Sequence, residues 1–193
     1  MSFEIDNGVL VKYTGKDTEV VIPDGVTSIG NEAFKDCSGL QSISIPDGVT
    51  SIGDSAFNCC ENLQSVTIPD SVTSIGYDAF GGCKELQSII IPDGVSSIDD
   101  YAFSGCGSLQ RITIPNSVTC ISRGLFQWCK ALQVVNIPDG VTSIGYSAFC
   151  ECENLQTITI PDSVTRIDDS AFQRCTKLRH ITIPDGVTSI GNW

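Results

Sequence analysis

The chain has 193 residues, 41% of them hydrophobic and 18% charged, which is typical of a folded protein rather than a disordered one. Its net charge of −12 argues against binding to nucleic acid or to anionic membrane surfaces, because their phosphates would repel it. No apolar run approaches the roughly 18 residues of a membrane-spanning helix, so membrane insertion is not expected. The opening residues, MSFEIDNG, have neither the basic nor the apolar region of a signal peptide, so no signal peptide is expected.

Residues 1–21 differ from the rest of the chain and are predicted to form an N-terminal cap. The stretch FEIDNGVLVKY places the Asn7-Gly8 pair between two extended segments, a pattern typical of a β-hairpin. Val20 and Ile22 then take the inward positions of a first strand. A cap of this kind covers the apolar end of a repeat array.

From residue 22 onward the chain repeats itself with a period of 23 residues. All eight prolines follow this spacing, at positions 23, 46, 69, 92, 115, 138, 161 and 184, without insertion or deletion. One such unit cannot bury its own apolar side chains, but stacked copies can bury them against one another. We therefore expect a single solenoid domain of seven full repeats and a truncated eighth. The predicted repeats are 22–44, 45–67, 68–90, 91–113, 114–136, 137–159, 160–182 and 183–193.

Each repeat is predicted to hold two strands and a short helical turn. Residues 40–45 alternate apolar and polar side chains, the pattern of a half-buried strand. Pro46-Asp47-Gly48 then forms a turn, and residues 49–52 form a second, shorter extended piece. In the segment that follows, Ala, Phe, Cys and Leu recur at spacings that place them on one helical face.

Three phrases of the repeat, L-x-x-I-x-I-P, V-T-S-I-G and A-F-x-x-C, resemble the BspA-like, or treponemal-type, leucine-rich repeat. Residues 40–46, 49–53 and 56–60 carry them, and the resemblance covers about residues 20–193. It implies a right-handed, curved solenoid, dominated by strands, whose longer strands line a concave parallel β-sheet. It also implies a bacterial surface or secreted protein used in adhesion and protein–protein contact. The sequence departs from the pattern at Leu125, which replaces the helical Ala, at Asn116, which replaces the turn Asp, and at Cys120, which replaces a Ser.

No catalytic site is predicted, and the chain is not expected to be an enzyme. A Ser-His-Asp or Cys-His site would require the single histidine, His180, which lies in the last strand among repeated serines and threonines. Nothing in the sequence is placed as its nucleophile or orienting partner, so a surface strand position is favoured. No phosphate-binding loop motif occurs, and no cofactor is expected.

Ten cysteines raise the question of zinc or disulfides. No C-x-x-C pair occurs, and seven cysteines share one inward column, which makes a line rather than a tetrahedral site. Disulfides between neighbouring coils remain an alternative, because stacked strands lie about 4.8 Å apart and a disulfide tolerates that Cα separation. We favour a reduced ladder of buried thiols, which would suit a cytosolic or anaerobic setting. The seven are Cys37, Cys60, Cys83, Cys106, Cys129, Cys152 and Cys175.

A column of turn aspartates suggests calcium as a second metal hypothesis. One carboxylate per coil falls short of the 6–8 oxygen ligands that calcium takes, so a role in the turn itself is favoured and no metal is expected. The column consists of Asp24, Asp47, Asp70, Asp93, Asp139, Asp162 and Asp185.

The function predicted from these features is a non-catalytic module that binds protein, or a glycan, on the concave face of the sheet, which is the outward side of the longer strands. Residues that break the repeat on this side are the candidate contacts, since packing does not require them. They are Ile90, Arg111, Val134, Asn136, Arg179 and His180. The alternative is a structural spacer or self-associating array without a specific ligand, which the near-verbatim copies favour. The truncated last repeat further predicts an open end, with Phe172, Cys175 and Leu178 partly exposed, Trp193 as a partial lid, and an end-to-end homodimer.

Overall fold

The computed structural model describes residues 2–192, whose regular structure consists of short β-strands joined by turns. The chain opens with an antiparallel hairpin of β1 (Phe3–Asp6) and β2 (Val9–Tyr13). Asn7 and Gly8 form its turn with φ values of 48° and 81°, a left-handed conformation that these residue types tolerate. β2 pairs with the strand at residues 28–29, so strand pairing continues from the hairpin into the repeat array. The predicted boundary between cap and array at residue 21 therefore stays a prediction from sequence.

Two ladders of parallel strands run along the solenoid, and the predicted fold class is confirmed. The first, here the long-strand ladder, contains β3 (Glu19–Val21), β5 (Ser42–Ser44), β7 (Ser65–Thr67), β9 (Ser88–Ile90), β11 (Arg111–Thr113), β13 (Val134–Asn136) and β15 (Thr157–Ile158). The second, the short-strand ladder, contains β4 (Ser28–Ile29), β6 (Ser51–Ile52), β8 (Ser74–Ile75), β10 (Ser97–Ile98), β12 (Cys120–Ile121), β14 (Ser143–Ile144), β16 (Arg166–Ile167) and β17 (Ser189–Ile190). Each paired residue meets the residue 23 positions later, as Ser42 meets Ser65 and Ile52 meets Ile75, so one repeat makes one coil.

The core lies between the two ladders and consists of the repeated apolar columns. The phenylalanine column forms a continuous stack from Phe34 to Phe172, with neighbouring ring centroids 5.1–5.9 Å apart. Such spacing is within the range of favourable aromatic pairs, and each coil buries its ring only because the next coil covers it.

The segment after each short strand is not helical, contrary to the prediction. Glu32 and Asp36 have φ values of 58° and 60°, which an α-helix does not allow. The Lys35 N–H donates to the Glu32 carbonyl within the coil, while the adjacent Phe34 N–H donates to the Ala56 carbonyl of the next coil at 2.7 Å. Alternate amides thus bond within and between coils. Stacking therefore satisfies the hydrogen-bonding groups of the backbone. The positive φ values at positions such as Glu32 and Asp36 are the conformational cost of this bonding pattern.

Both strand ladders are interrupted at one boundary, here called the seam. It separates the coil that holds β9 and β10 from the coil that holds β11 and β12. Within residues 2–192, pairing stops at β9 and resumes at β11 on one side, and stops at β10 and resumes at β12 on the other. The solenoid therefore consists of two continuous stacks joined at the seam by the core and by the turn segments.

We attribute the seam to Leu125. In the other coils its buried column is occupied by alanine, at Ala33, Ala56, Ala79, Ala102, Ala148 and Ala171. The Phe103 N–H reaches the Leu125 carbonyl at 3.1 Å, compared with 2.7–2.8 Å in the five equivalent bonds. An isobutyl group in a column sized for methyl groups overpacks the core and separates the coils.

The last described coil is better covered than predicted. Phe172 and Cys175 are buried, and only Leu178 is half-buried, so the expectation that all three are partly open is wrong for the first two. The Ser170 N–H donates to the Asn192 carbonyl at 2.6 Å and β17 pairs with β16, which places residues 189–192 over the preceding coil. The predicted lid, Trp193, lies outside the described residues.

No helix in the described part of the chain is long and apolar enough to cross a membrane.

Candidate functional site

The predicted contacts lie on the outward side of the long-strand ladder, here called the long-strand face. Side chains alternate along each strand, as in β9, where Ser88 and Ile90 are exposed and Ile89 is buried. All six predicted residues are exposed on this face: Ile90, Arg111, Val134, Asn136, Arg179 and His180. Two of them expose a large apolar surface, Ile90 at 79% and Val134 at 46%.

Strand register brings several of these residues into one row. Arg111 pairs with Val134, Val134 pairs with Thr157, and Thr157 bridges to His180. Neighbours in this row are separated by one strand spacing of about 4.8 Å, so Arg111 and His180 lie roughly 14 Å apart. Asn136 occupies the parallel row, opposite Thr113.

The candidates divide between two grooves rather than forming a single pocket. Ile90 and Arg111 lie on opposite sides of the seam and line a groove of about 330 Å³, together with Asp93. Arg179 and His180 line a second groove, of about 660 Å³, with Gln156 and Thr157. Val134 lies between the two in the row, which makes the face an elongated surface instead of a deep cleft.

Arg111 and Arg179 are cations without a carboxylate partner. Among residues 2–192, the ion pairs use Lys35, Lys84, Lys130, Arg166 and Arg174, all of them away from the long-strand face. An unpaired guanidinium in a chain of net charge −12 is available to a carboxylate on a partner.

The described residues do not assemble a catalytic or metal-binding arrangement. His180 is exposed and makes only a backbone bridge to Thr157. No group of three or more His, Cys, Asp or Glu residues within positions 2–192 is placed to hold a metal ion. The turn aspartates of the column are all exposed, and the turn itself is closed by backbone bonds such as that from the Val49 N–H to the Pro46 carbonyl, 3.1 Å.

The cysteine column is a ladder of free thiols in which six of the seven are buried. All ten cysteines of the chain are free in the structure, and Cys37 of the column is half-buried. Each buried thiol donates to the phenylalanine carbonyl 26 residues earlier, as Cys129 does to Phe103 at 3.1 Å. Burial raises the pKa of the Cys129 thiol from 9.0 to about 12, and raises those of Cys83 and Cys106 well above 9.0. These protonated thiols link neighbouring coils by hydrogen bonds and are poor nucleophiles near neutral pH.

Sequence reasoning missed a second groove at the seam, which lies along the short-strand ladder instead of the long-strand ladder. It has a volume of about 590 Å³ and includes Cys120, Arg123, Tyr146 and Arg166 in its lining. Arg123 lies over the Tyr146 ring, 4.8 Å from its centroid. The sequence feature that could have pointed to this groove is the replacement, at Cys120 and Arg166, of a serine that occupies the same position in the other repeats.

The family profile described as "BspA type Leucine rich repeat region" matches residues 5–133 and 96–193, in six copies. A leucine rich cell surface protein from Faecalibacterium prausnitzii A2-165 is 38% identical, with a TM-score of 0.83 over 93% of this chain and 52% of that one. A leucine-rich repeat protein from Bacteroides ovatus is 34% identical, with a TM-score of 0.88 over 95% of this chain and 50% of that one. The Treponema pallidum leucine rich repeat protein TpLRR is also 34% identical, with a TM-score of 0.85 over 89% of this chain and 82% of that one.

The chain therefore spans about half the length of the first and second of these relatives and most of the third. No curated protein matches it significantly.

Proposed function

The chain belongs to the BspA-type leucine-rich repeat family, and we propose that it is a non-catalytic, protein-binding module of the cell-surface type that uses its long-strand face. The observation that carries the proposal is Arg111, an exposed cation without a carboxylate partner, between the exposed side chains of Ile90 and Val134. The relative from F. prausnitzii, a cell surface protein, supports the location.

The long-strand face supports binding because its contacts are held on a rigid frame. The buried residue of each strand fixes the direction of its exposed neighbours, as Ile112 does for Arg111 and Thr113. Little conformational entropy is then lost when a partner docks, apart from that of the long arginine side chain. Arginine is also among the residue types that contribute most to protein interfaces.

The chemistry of the face indicates the kind of segment it binds. Ile90 and Val134 offer aliphatic contact on both sides of Arg111, and the arginine offers a bidentate site for a carboxylate. A partner segment with an aliphatic side chain next to an Asp or Glu fits this arrangement. Arg179 and His180 extend the same preference for acidic groups to the second groove.

A random peptide display library, panned on the immobilised chain, tests the proposal with a defined probe. Selected peptides should combine aliphatic and acidic residues, and Arg111→Ala should weaken their binding at least about thirtyfold, which corresponds to the roughly 2 kcal/mol threshold for a hot-spot residue. Arg174→Ala is the matched control, because Arg174 is ion-paired at 2.7 Å with Glu151, and both lie in the turn segments that follow the short strands β14 and β16. Equal binding by both variants, or no enrichment at all, would remove the long-strand face as the site.

The spacer alternative has its own supporting observation, the near-uniform serine and glutamine positions of the first coils. Ser42, Ser65 and Ser88 stand in register on β5, β7 and β9. Such a surface provides little to distinguish one ligand from another. If panning enriches no peptide at all, the spacer role is the better account.

A further inference from the structure

The groove on the short-strand side of the seam is separate from the long-strand face and has no role in the function proposed above. Its lining combines hydroxyl, carboxylate, guanidinium and aromatic groups, at Ser97, Asp99, Asp100, Arg123, Tyr146 and Arg166. We propose that this groove is a second binding site, and that its ligand is a short neutral saccharide.

The seam leaves backbone groups in and beside the groove without their usual partners. In the neighbouring coils the threonine N–H and hydroxyl both donate to the carbonyl 23 residues earlier, as Thr73 does to Thr50 at 2.9 and 3.2 Å. Within residues 2–192, Thr119 makes neither bond to Ser96. The Ser122 N–H also lacks the equivalent bond, and its hydroxyl donates to the Ile98 carbonyl instead, at 2.5 Å. Backbone groups of this kind take their hydrogen bonds from water or from a ligand.

Tyr146 supplies an aromatic wall to the groove. Tyr146 is 41% exposed, and the Arg123 guanidinium lies over one face of its ring, 4.8 Å from the centroid, so a ligand would contact the remaining exposed surface of the tyrosine beside the arginine. A sugar ring presents C–H groups on its faces and hydroxyl groups around its rim. It can therefore lie against the tyrosine while its hydroxyls reach the polar groups of the floor.

The charge of the groove lining selects a neutral ligand. Arg166 is bound to Asp168 through two bonds of 2.6 and 2.7 Å, so the two charges offset each other. Asp99 and Asp100 then outnumber Arg123 in the remaining lining, and the whole chain carries −12. A sulfated or uronate saccharide would be repelled, whereas neutral hydroxyls can donate to the carboxylates and accept from Arg123 and the backbone amides. The volume of about 590 Å³ is within the range of about 300–1,000 Å³ for small-ligand sites.

The test is a titration of the chain with neutral trisaccharides of glucose, mannose and N-acetylglucosamine, with a sulfated trisaccharide as the charged comparison. Saturation-transfer NMR and calorimetry should detect at least one neutral probe with a Kd of about 1 mM or tighter. Tyr146→Ala should weaken it at least about tenfold, and Tyr146→Phe should retain it because the ring remains. Tyr77→Ala, at an exposed tyrosine outside the groove lining, is the matched control and should bind normally.

Two further variants separate this site from the long-strand face. Leu125→Ala should close the seam and reduce saccharide binding, and a cooperative melting transition would show that this variant is still folded. Arg111→Ala, on the long-strand face, should leave saccharide binding unchanged. Absence of binding by every neutral probe, equal loss in Tyr146→Ala and Tyr77→Ala, or tighter binding of the sulfated probe would overturn the proposal.

Discussion

The rings of Phe103 and Phe126 lie 5.9 Å apart, the widest spacing in the phenylalanine stack, and this pair spans the seam. The spacing decreases to 5.5 Å on each side and to 5.1 Å at the start of the stack. In a solenoid each coil is stabilised only by its neighbours, so the boundary across which neither ladder pairs is expected to be the weakest interface. The seam is therefore expected to dominate the local dynamics of the array.

Hydrogen exchange measures this weakness directly. Amides of β11 and β12, next to the seam, should exchange faster than those of β13 and β14, one coil further on, because strand pairing protects the latter. Leu125→Ala should slow exchange in β11 and β12. Leu132→Ala is the control, since it removes a buried leucine from a column that is leucine elsewhere and should destabilise the chain by about 2–5 kcal/mol without closing the seam. Uniform protection across the four strands would contradict the assignment.

The inward and outward columns predict unequal costs of substitution. Phe103→Ala, at a fully buried ring, should reduce the free energy of unfolding by about 3–5 kcal/mol. Ser88→Ala, at an exposed position of β9, should change it by less than about 0.5 kcal/mol. Denaturant titration of both variants measures these free energies of unfolding. Comparable losses in the two variants would mean that the assignment of inward and outward columns is wrong.

The thiol ladder predicts a loss of stability at alkaline pH. Burial raises the pKa of the Cys129 and Cys175 thiols from 9.0 to about 12, so the folded state keeps them protonated where the unfolded state would ionise them. The stabilisation is complete below pH 9 and is lost as the pH rises from about 9 towards 12. Each such thiol contributes a slope of about 1.4 kcal/mol per pH unit in that window. Melting temperatures measured between pH 7 and 11 should therefore fall steeply above pH 9.

Thiol labelling provides an independent check on the same ladder. Cys120 is exposed and should react readily in the folded chain, while Cys83, Cys106 and Cys152 should react only after denaturation. Mass spectrometry of the labelled protein distinguishes the two groups. Rapid labelling of all ten cysteines under native conditions, or disulfide-linked pairs among the buried ones, would refute the protonated ladder.

Self-association of the 193-residue chain remains a prediction, and of the three residues first expected to drive it only Leu178 is accessible. Phe172 and Cys175 are buried, but Leu178 and Val187 are half-buried and Ile190 is 50% exposed on the last described coil. Sedimentation over a concentration series should show a dimer that Leu178→Lys weakens and that the distant Val11→Lys, at an exposed position of the hairpin, does not. A monomer at every concentration would mean that this apolar surface is too small to drive association.

The sequence alone determined the repeat, the coil length and the direction of most side chains. A period of 23 residues without insertion allows only stacked copies, and columns such as that of Phe34 and Phe57 must face inward because nothing else in the unit can cover them. The same logic placed Ile90 and Arg111 on the outward side of their strands, where the structure has them. These features follow from local alternation and periodicity.

Tertiary structure decided the turn conformation and the seam. The spacing of Ala56, Phe57 and Cys60 is that of a helical face, but the Phe34 amide bonds the Ala56 carbonyl of the next coil because a stacked neighbour is within reach. Leu125 in place of alanine looks like a minor change in a one-dimensional pattern, yet its extra volume has to fit between two coils already in contact. The distance between coils is a property of packing across the stack, and it opens the two grooves that flank the seam.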